Sequence, residues 1–370
     1  MHAPRLWDIF CTVIDNYGDI GVCWRLASQL AQRGQRVRLW VDDPSALAWM
    51  APQGQMGVTV HAWTRPLHAG TLAELPAGDV LVEAFGCEIP PEFLHLHQTW
   101  RRRPGHRSAW VNLEYLSAES YVERSHGLPS PVMRGPGAGL TKHFYYPGFT
   151  ERTGGLLREA DLLVRQQSFD GRGWLQSQGL ACPPHVRTFG LFCYETPALL
   201  PWLQALAYDR QPTQLLVAAG RTADAVRAAV QALSKQHASW NAKAGLAIHY
   251  LQHMPQAEFD HLLWACDFNV VRGEDSLVRA LWSTRPFIWH IYPQQDGAHH
   301  AKLQAFLAWM QASPSLRQAH AAWNAAEPQA MPPLDALPAW QATAQAARAR
   351  LLSQNDLVSQ LLEFVARVAT

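Results

Sequence analysis

Residues 6–21 read LWDIFCTVIDNYGDIG, and this stretch decides the fold. Residues 6–14 are apolar at all but two positions and rich in strand formers, which is typical of a strand buried in a parallel sheet. The apolar run ends in a polar, glycine-containing loop. From Asp19 onward apolar residues recur at helical spacing as far as Gly34, which can end a helix. The order strand, loop, helix predicts the start of a parallel α/β domain.

The same alternation of strands and helices continues along the chain. In the first half we predict strands at 36–41, 58–63, 80–85 and 109–113, with a helix at 91–101. After Pro212 we predict strands at 214–218, 246–251, 268–271 and 286–291, with helices at 222–236, 256–264 and 276–282. Two Rossmann-like domains are therefore expected, with a ligand site in a cleft between the carboxyl ends of their sheets.

The chain length fits this organisation, because 370 residues at about 150 residues per domain suggest two domains. We place an N-terminal α/β domain at 1–183, with long loops at 115–155 where proline and glycine are frequent. A second α/β domain is expected at 184–335. Residues 336–370 are expected to form a helical segment that packs back across the domains.

The composition excludes several classes of protein. The chain has 31 Lys and Arg against 30 Asp and Glu, so no strong overall charge attracts a nucleic acid. It contains neither an 18-residue apolar run nor a signal-peptide pattern, so we expect no membrane partner. The six cysteines are far apart and form no CxxC pair, which favours a cytoplasmic protein.

The loop after the first predicted strand carries two carboxylates, Asp15 and Asp19. At the carboxyl end of a strand they could act as a general base and its neighbour, or as a cation-binding pair. Alternatively, Asp19 caps the following helix and Asp15 begins an Asx-turn. Gly18 and Gly21 are only part of a GxGxxG dinucleotide motif, which weakens a prediction of NAD binding.

The second candidate is RGEDS at residues 272–276, between a predicted strand and a predicted helix. If Asp275 or Ser276 is the N-cap, the first-turn amides form an anion site that suits a diphosphate. Arg272 and Arg279 could add positive charge. The alternative is an ordinary capped helix with a surface acidic pair.

Two aromatic groups, His290 and Tyr292, follow at the end of the last predicted strand and could bind phosphate or sugar; a half-buried tyrosine with a satisfied hydroxyl is the alternative. No Asp-x-Asp, HExxH or P-loop motif is present. His249 and His253 have helical ligand spacing but straddle a predicted strand end. We therefore predict no metal site and a metal-independent reaction.

Several longer motifs lie in order along the chain from about residue 6 to about residue 310. They are DNYGDIG at 15–21, NLEYLSAE at 112–119, HGLPSP at 126–131, PGFT at 147–150, TGGL at 153–156, RGEDS at 272–276 and WHIYPQ at 289–294. Together they resemble the bacterial protein-arginine rhamnosyltransferases that modify translation elongation factor P.

This resemblance implies a GT-B glycosyltransferase fold and an inverting transfer of rhamnose to an arginine guanidinium nitrogen of elongation factor P. The donor substrate would be dTDP-β-L-rhamnose, with no cofactor. The N-terminal domain would bind the acceptor protein and the C-terminal domain the nucleotide sugar. The implied catalytic residues are Asp19, Asp15 and Glu274. The implied donor-binding residues are Tyr194, His253, Gln256, Arg272, Asp275, Ser276 and Tyr292.

Two other functions remain open from the residues alone. One is a nicotinamide-dependent oxidoreductase built on two α/β domains, which the incomplete glycine motif disfavours. The other is a non-enzymatic, bilobed nucleotide-binding protein, which would retain its ligand without turning it over.

Overall fold

The computed structural model describes residues 4–14, 17–73, 75–181, 183–294 and 296–369. The chain divides into two compact units, of which unit 1 comprises residues 1–159 with 351–370, and unit 2 comprises residues 160–350. Each unit contains one predominantly parallel sheet. The described residues therefore have the expected architecture of two Rossmann-like units.

Unit 1 is built on a seven-stranded sheet in the order β3-β2-β1-β4-β5-β7-β6. Its strands are β1 (Leu6–Cys11), β2 (Arg36–Val41), β3 (Val58–Ala62), β4 (Val80–Ala84), β5 (Ala109–Leu113), β6 (Pro129–Pro131) and β7 (Thr141–Tyr145). Its helices are α1 (Gly18–Gln32), α2 (Leu47–Met50), α3 (Ala69–Leu72), α4 (Pro91–Arg101), α5 (Ser120–Ser125) and, at the other end of the chain, α15 (Leu357–Val368). All strand pairs are parallel except β6 with β7.

Strand β1 is buried along its whole length, as predicted from its sequence. Trp7 and Ile9 belong to the core layer that includes α1 and α15, whereas Phe10 belongs to the layer on the other face. This alternation follows from the two-residue period of a strand. The sheet is therefore covered on both faces.

Unit 2 is built on a five-stranded sheet in the order β10-β9-β8-β11-β12, with every pair parallel. Its strands are β8 (Arg187–Leu191), β9 (Thr213–Val217), β10 (Leu246–Tyr250), β11 (Phe268–Arg272) and β12 (Phe287–His290). Its helices are α6 (Leu162–Gln167), α7 (Gly171–Ser177), α8 (Leu199–Tyr208), α9 (Arg221–Gln236), α10 (Gln256–Ala265), α11 (Gly273–Ser283), α12 (Ala298–Met310), α13 (Pro314–Trp323) and α14 (Leu337–Leu352).

The division between the units differs from the predicted boundary after residue 183. Helices α6 and α7 belong to unit 2. Leu175 of α7 packs in a core cluster with Leu216 of β9 and Leu262 of α10. The C-terminal segment is also divided, because α14 belongs to unit 2 as far as Arg350 and α15 belongs to unit 1.

Strand β8 is the central strand of the second sheet, although its sequence gave no strand prediction. The prolines at the ends of the stretch 183–201 favour a domain boundary there rather than a strand. A Cβ atom at Gly190 would collide with the Asn269 side chain of β11 and lie 3.2 Å from Cys266 Sγ. Glycine is required here by a close approach between neighbouring strands, which the sequence of β8 does not show.

The stretch 115–155, which we expected to be long loops, contains α5, β6 and β7 in addition to loops. Strand β7 pairs in parallel with β5 and extends the sheet of unit 1.

Five cysteines in the described part of the chain are buried free thiols, and Cys182 lies outside it. Among the described residues, no helix is both long and apolar enough to cross a membrane.

Helices α10 and α11 are joined by a buried ion pair between Asp260 and Arg279. The Arg279 guanidinium donates to both carboxylate oxygens, at 2.8 and 2.7 Å, and each side chain is 1% exposed. The prediction that Arg279 adds charge to an anion site is therefore wrong. Its ion pair with Asp260 holds α11 against α10.

We predict that Asp260→Ala lowers the free energy of unfolding by about 3–5 kcal/mol, because it leaves the Arg279 charge buried without its carboxylate. Asp224→Ala is the matched control, since Asp224 and Arg227 form an exposed pair on α9 and such pairs contribute at most about 1 kcal/mol. Urea unfolding of both variants measures the difference. Equal stability of the two variants would contradict the stabilising role of the buried pair.

Candidate functional site

Asp19 is the second residue of α1 and is 7% exposed. Its carboxylate oxygen accepts a hydrogen bond from the backbone N–H of Ile14, at 3.1 Å. The N-cap of α1 is Tyr17, whose side chain makes no capping bond, so Asp19 is not the cap that we considered as an alternative. A carboxylate in the first turn is stabilised by the helix dipole and lies at the carboxyl end of β1. Asp15 lies outside the described residues.

Arg272 is the last residue of β11, and its side chain is packed among aromatic rings. The guanidinium carbon lies 4.5 Å from the ring centre of Phe192 and 4.7 Å from that of Tyr194. One guanidinium nitrogen donates to the Cys193 carbonyl at 3.5 Å, and the residue is 6% exposed. Aromatic faces and a carbonyl hold the positive charge in place at the carboxyl edge of the sheet.

Helix α11 begins at Gly273, immediately after Arg272. The prediction that Asp275 or Ser276 is the N-cap is therefore wrong. Arg272 occupies the N-cap position without a side-chain capping bond, and both acidic residues lie in the first turn. Ser276 is buried, and its hydroxyl donates back to the Arg272 carbonyl. The turn is possible because Gly273 has a φ of +66°, which favours glycine.

Tyr194, His290 and Tyr292 form an aromatic group beside Arg272. The Tyr194 ring packs edge-on against both others, with centres 5.2 Å from His290 and 5.5 Å from Tyr292. Tyr194 is 2% exposed whereas Tyr292 is 48% exposed. Tyr292 therefore has surface available to a ligand, and the buried Tyr194 ring packs against it.

His290 has a structural function in this group. Its Nδ1 atom lies 3.3 Å from the Tyr194 backbone nitrogen and 3.2 Å from Trp323 Nε1, and it accepts hydrogen bonds from both. Burial, assisted by the nearby Arg272 charge, lowers the pKa of His290 to about 3. The ring is therefore neutral at pH 7, as an acceptor must be. It is buried and does not present itself to a phosphate.

Glu274, in the first turn of α11, forms a 2.6 Å ion pair with Lys302 of α12. Lys302 was not among the predicted site residues, although it is the one charged residue of its helix. Phe192, which packs against Arg272, was also missed. The sequence feature that could have indicated Phe192 is its position in the run LFCYE, two residues before Tyr194. Lys302 and Phe192 thus contact the side chains of Glu274 and Arg272 in the predicted turn at 272–276.

Gln256 is the first residue of α10, and His253 lies in the loop before it. This loop follows β10, which is the edge strand of the sheet. His253 is exposed and Gln256 is half-buried. Both residues thus lie beyond the carboxyl end of a strand, as do Tyr194 and Tyr292, whereas Arg272 is the last residue of its strand.

Within the described ranges, no three His, Cys, Asp or Glu side chains are gathered so that they could hold a metal ion. His249 lies on β10 itself, so it does not share a helical face with His253.

Residues 7–366 match the family described as elongation factor P (EF-P) rhamnosyltransferase EarP. The chain belongs to this family. It is 43% identical to a protein-arginine rhamnosyltransferase of Pseudomonas aeruginosa, over 97% of this chain and 98% of that protein. The chain is thus an enzyme, a protein-arginine rhamnosyltransferase. The oxidoreductase and non-enzymatic alternatives are thereby excluded.

Solved structures support the same family and its fold. One, described as the structural basis for EarP-mediated arginine glycosylation of translation elongation factor EF-P, is 31% identical with a TM-score of 0.60 and covers 98% of this chain and 99% of that chain. A second, UGT89C1 of Arabidopsis thaliana complexed with UDP-L-rhamnose, is 11% identical with a TM-score of 0.55 and 99% coverage of both chains. At that identity it shows the fold alone. The EarP-family chain has the predicted GT-B glycosyltransferase fold.

We predict that the stability supplied by neutral His290 decreases as the pH falls. Its folded pKa of about 3 lies below the ordinary value of 6.5, so the unfolded state binds more protons between these values and protonation favours unfolding. His290→Asn keeps a hydrogen-bond acceptor without this titration. The difference in unfolding free energy, wild type minus variant, should fall by about 1.4 kcal/mol per pH unit below pH 6.

Urea unfolding at several pH values between 4 and 7 provides this measurement. Parallel stability curves for wild type and His290→Asn would show that His290 is not held neutral by the fold.

Proposed function

We propose that this enzyme transfers rhamnose from dTDP-β-L-rhamnose to a guanidinium nitrogen of one arginine in translation elongation factor P, with inversion at the anomeric carbon. The observation that carries the proposal is the buried Arg272 guanidinium at the start of α11, in a chain of the EarP family. A nucleotide sugar presents a diphosphate, and a fixed cation beside a helix N-terminus is suited to bind it.

The donor would bind at the carboxyl ends of the strands in unit 2. Departure of dTDP leaves negative charge on the β-phosphate. Arg272 and the first-turn amides of α11 would stabilise this charge. Tyr292 offers an exposed phenol that can hydrogen-bond the donor. The wider proposed donor set is Tyr194, His253, Gln256, Arg272, Asp275, Ser276 and Tyr292.

The acceptor chemistry would depend on Asp19, with Asp15 as its neighbour. A guanidinium is almost always protonated, so its nitrogen is a poor nucleophile unless a carboxylate orients it and accepts a proton. In the proposed step the nitrogen forms a bond to the anomeric carbon while the bond from that carbon to the dTDP oxygen breaks. The nitrogen's proton passes to Asp19. Glu274, held by Lys302, is proposed as a third catalytic residue.

We further propose that the reaction needs no metal ion and takes place in the cytoplasm. Arg272 and the dipole of α11 supply the positive charge that a divalent ion would otherwise provide to the diphosphate. Elongation factor P takes part in translation, so its modification fits a cytoplasmic enzyme.

The intact mass of elongation factor P, measured after incubation with the enzyme and dTDP-rhamnose, tests the proposal. We expect an increase by one rhamnosyl group, in the absence and in the presence of EDTA. Acceptor protein whose modified arginine is replaced by lysine should gain no mass. An unmodified wild-type acceptor would contradict the proposed activity, and a loss with EDTA that Mg²⁺ restores would contradict metal independence.

We predict that Asp19→Asn reduces kcat by about 10²- to 10⁴-fold, because the amide cannot accept the proton. Its Oδ1 atom can still accept the hydrogen bond from Ile14, so the loop geometry should be retained. Affinity for dTDP should stay within a few-fold of wild type, as calorimetric titration would show. Turnover above about a tenth of the wild-type rate would exclude a general-base role.

We predict that Arg272→Ala raises the Kd for dTDP about ten- to a hundredfold, since a charge-assisted hydrogen bond contributes about 1.5–3 kcal/mol. Ser276→Ala and Tyr292→Phe should have smaller effects because neither removes a charge. Arg227→Ala, which removes an exposed arginine of α9, is the control and should bind dTDP as wild type does. Unchanged affinity in all three site variants, with circular dichroism showing a folded protein, would place the nucleotide elsewhere.

A further inference from the structure

The carboxyl end of β4 in unit 1 contains a strained residue that the proposed mechanism has not used. Phe85 has a φ of +57°, and Gly86 follows with a φ of +68°. A bulky residue rarely adopts this left-handed conformation, and such strain is concentrated at functional sites. The backbone N–H of Phe85 donates to the Leu113 carbonyl of β5 at 2.7 Å, which ties the strained turn to the neighbouring strand.

This turn directs the Phe85 ring toward Tyr115, just beyond the end of β5. The two rings are stacked, with centres 4.7 Å apart and planes 21° from parallel. Phe85 is 9% exposed, whereas Tyr115 is 39% exposed. A buried ring thus supports one face of Tyr115, and the tyrosine keeps surface that is open to solvent. The pair forms a rigid aromatic platform.

Glu114 lies between β5 and this platform. Its side chain is half-buried and accepts a hydrogen bond from Asn112 Nδ2 at 2.7 Å. Its backbone N–H donates to the Tyr145 carbonyl of β7 at 2.9 Å. Its charge contributes, after burial, to the raised pKa of Tyr146. Asn112 of β5 therefore positions the carboxylate, and β7 holds the backbone from which it extends.

The platform and Asp19 belong to the same edge of the same sheet. Strand β4 lies between β1 and β5. Glu83 of β4 is paired in register with Phe10 of β1 on one side and with Asn112 of β5 on the other. At about 4.8 Å per strand, the ends of β1 and β5 are about 10 Å apart, so side chains that extend from both ends can approach one guanidinium placed between them.

We propose that Tyr115 and Glu114 bind the acceptor arginine, its guanidinium stacking on the open part of the Tyr115 ring and donating hydrogen bonds to the Glu114 carboxylate. This inference rests on the proposed function. A guanidinium is planar, weakly hydrated and forked, so it suits both an aromatic face and a carboxylate, whereas the compact ammonium of lysine suits neither as well. The arrangement would select arginine and present one nitrogen toward Asp19.

The test is steady-state kinetics with elongation factor P as the varied substrate, together with calorimetric titration of dTDP. Tyr115→Ala should raise KM for the acceptor about five- to thirtyfold and leave the Kd for dTDP unchanged. Tyr115→Phe should stay near wild type, because the ring is retained. Tyr121→Ala, which removes another exposed tyrosine from unit 1 (42% exposed), is the matched control and should have a much smaller effect than Tyr115→Ala.

Glu114→Gln should also raise KM for the acceptor, since a neutral amide pairs poorly with a guanidinium. An acceptor KM unchanged in both Tyr115→Ala and Glu114→Gln would overturn the inference while the transfer activity itself stands. A Tyr115→Phe variant as defective as Tyr115→Ala would overturn the stacking role. A wild-type enzyme that transfers nothing to elongation factor P would instead contradict the proposed function, and this inference with it.

Discussion

A strand buried on both faces exposes little of its surface to a ligand, so in each unit the proposed site residues lie where the parallel strands end. The parallel pairing aligns those ends at one edge of the sheet. Asp19 follows β1 and Glu114 follows β5, whereas Arg272 ends β11 and Tyr292 follows β12. The backbone hydrogen bonds of the two sheets therefore determine which side chains can act together.

In unit 2 the charges near α11 are organised around Arg272. Glu195 is paired with Arg221, and this pairing lowers the pKa of the glutamate. Glu274 is paired with Lys302. These acidic groups pair directly with other cations, while Arg272 contacts aromatic rings and a carbonyl oxygen and its charge adds to the lowering of the Glu195 pKa. An anionic ligand is the natural complement of such a guanidinium.

Unit 1 has the opposite electrostatic character at the corresponding edge of its sheet. Two carboxylates, Asp19 and Glu114, are held by backbone or amide donors, and the stacked rings of Phe85 and Tyr115 lie where β4 and β5 end. Carboxylates with an aromatic face suit a cationic, planar group. The two units thus divide the proposed substrates by charge, with the diphosphate for unit 2 and the guanidinium for unit 1.

The sequence by itself determined the α/β class and most of the individual elements. The predicted bounds of β2, β5 and α4 agree with the structure. The motifs that indicate the family can also be recognised in the sequence, because they follow one another in order along the chain. Periodicity and turn chemistry are local properties, so local sequence is enough to predict them. The position of Asp19 after the first strand could be inferred for the same reason.

Only the tertiary structure decided the features that depend on residues far apart in the chain. Strand β8 is not recognisable from its own sequence, because its Gly190 is required by the close approach of Asn269 on another strand. Arg279 could add charge to the anion site as far as its sequence shows, but it pairs with Asp260 on α10, and Lys302 reaches Glu274 from the next helix. The start of α11 and the stacking of Phe85 on Tyr115 likewise depend on backbone geometry and packing. Such contacts arise from the folding of distant segments together, and no local sequence pattern encodes them.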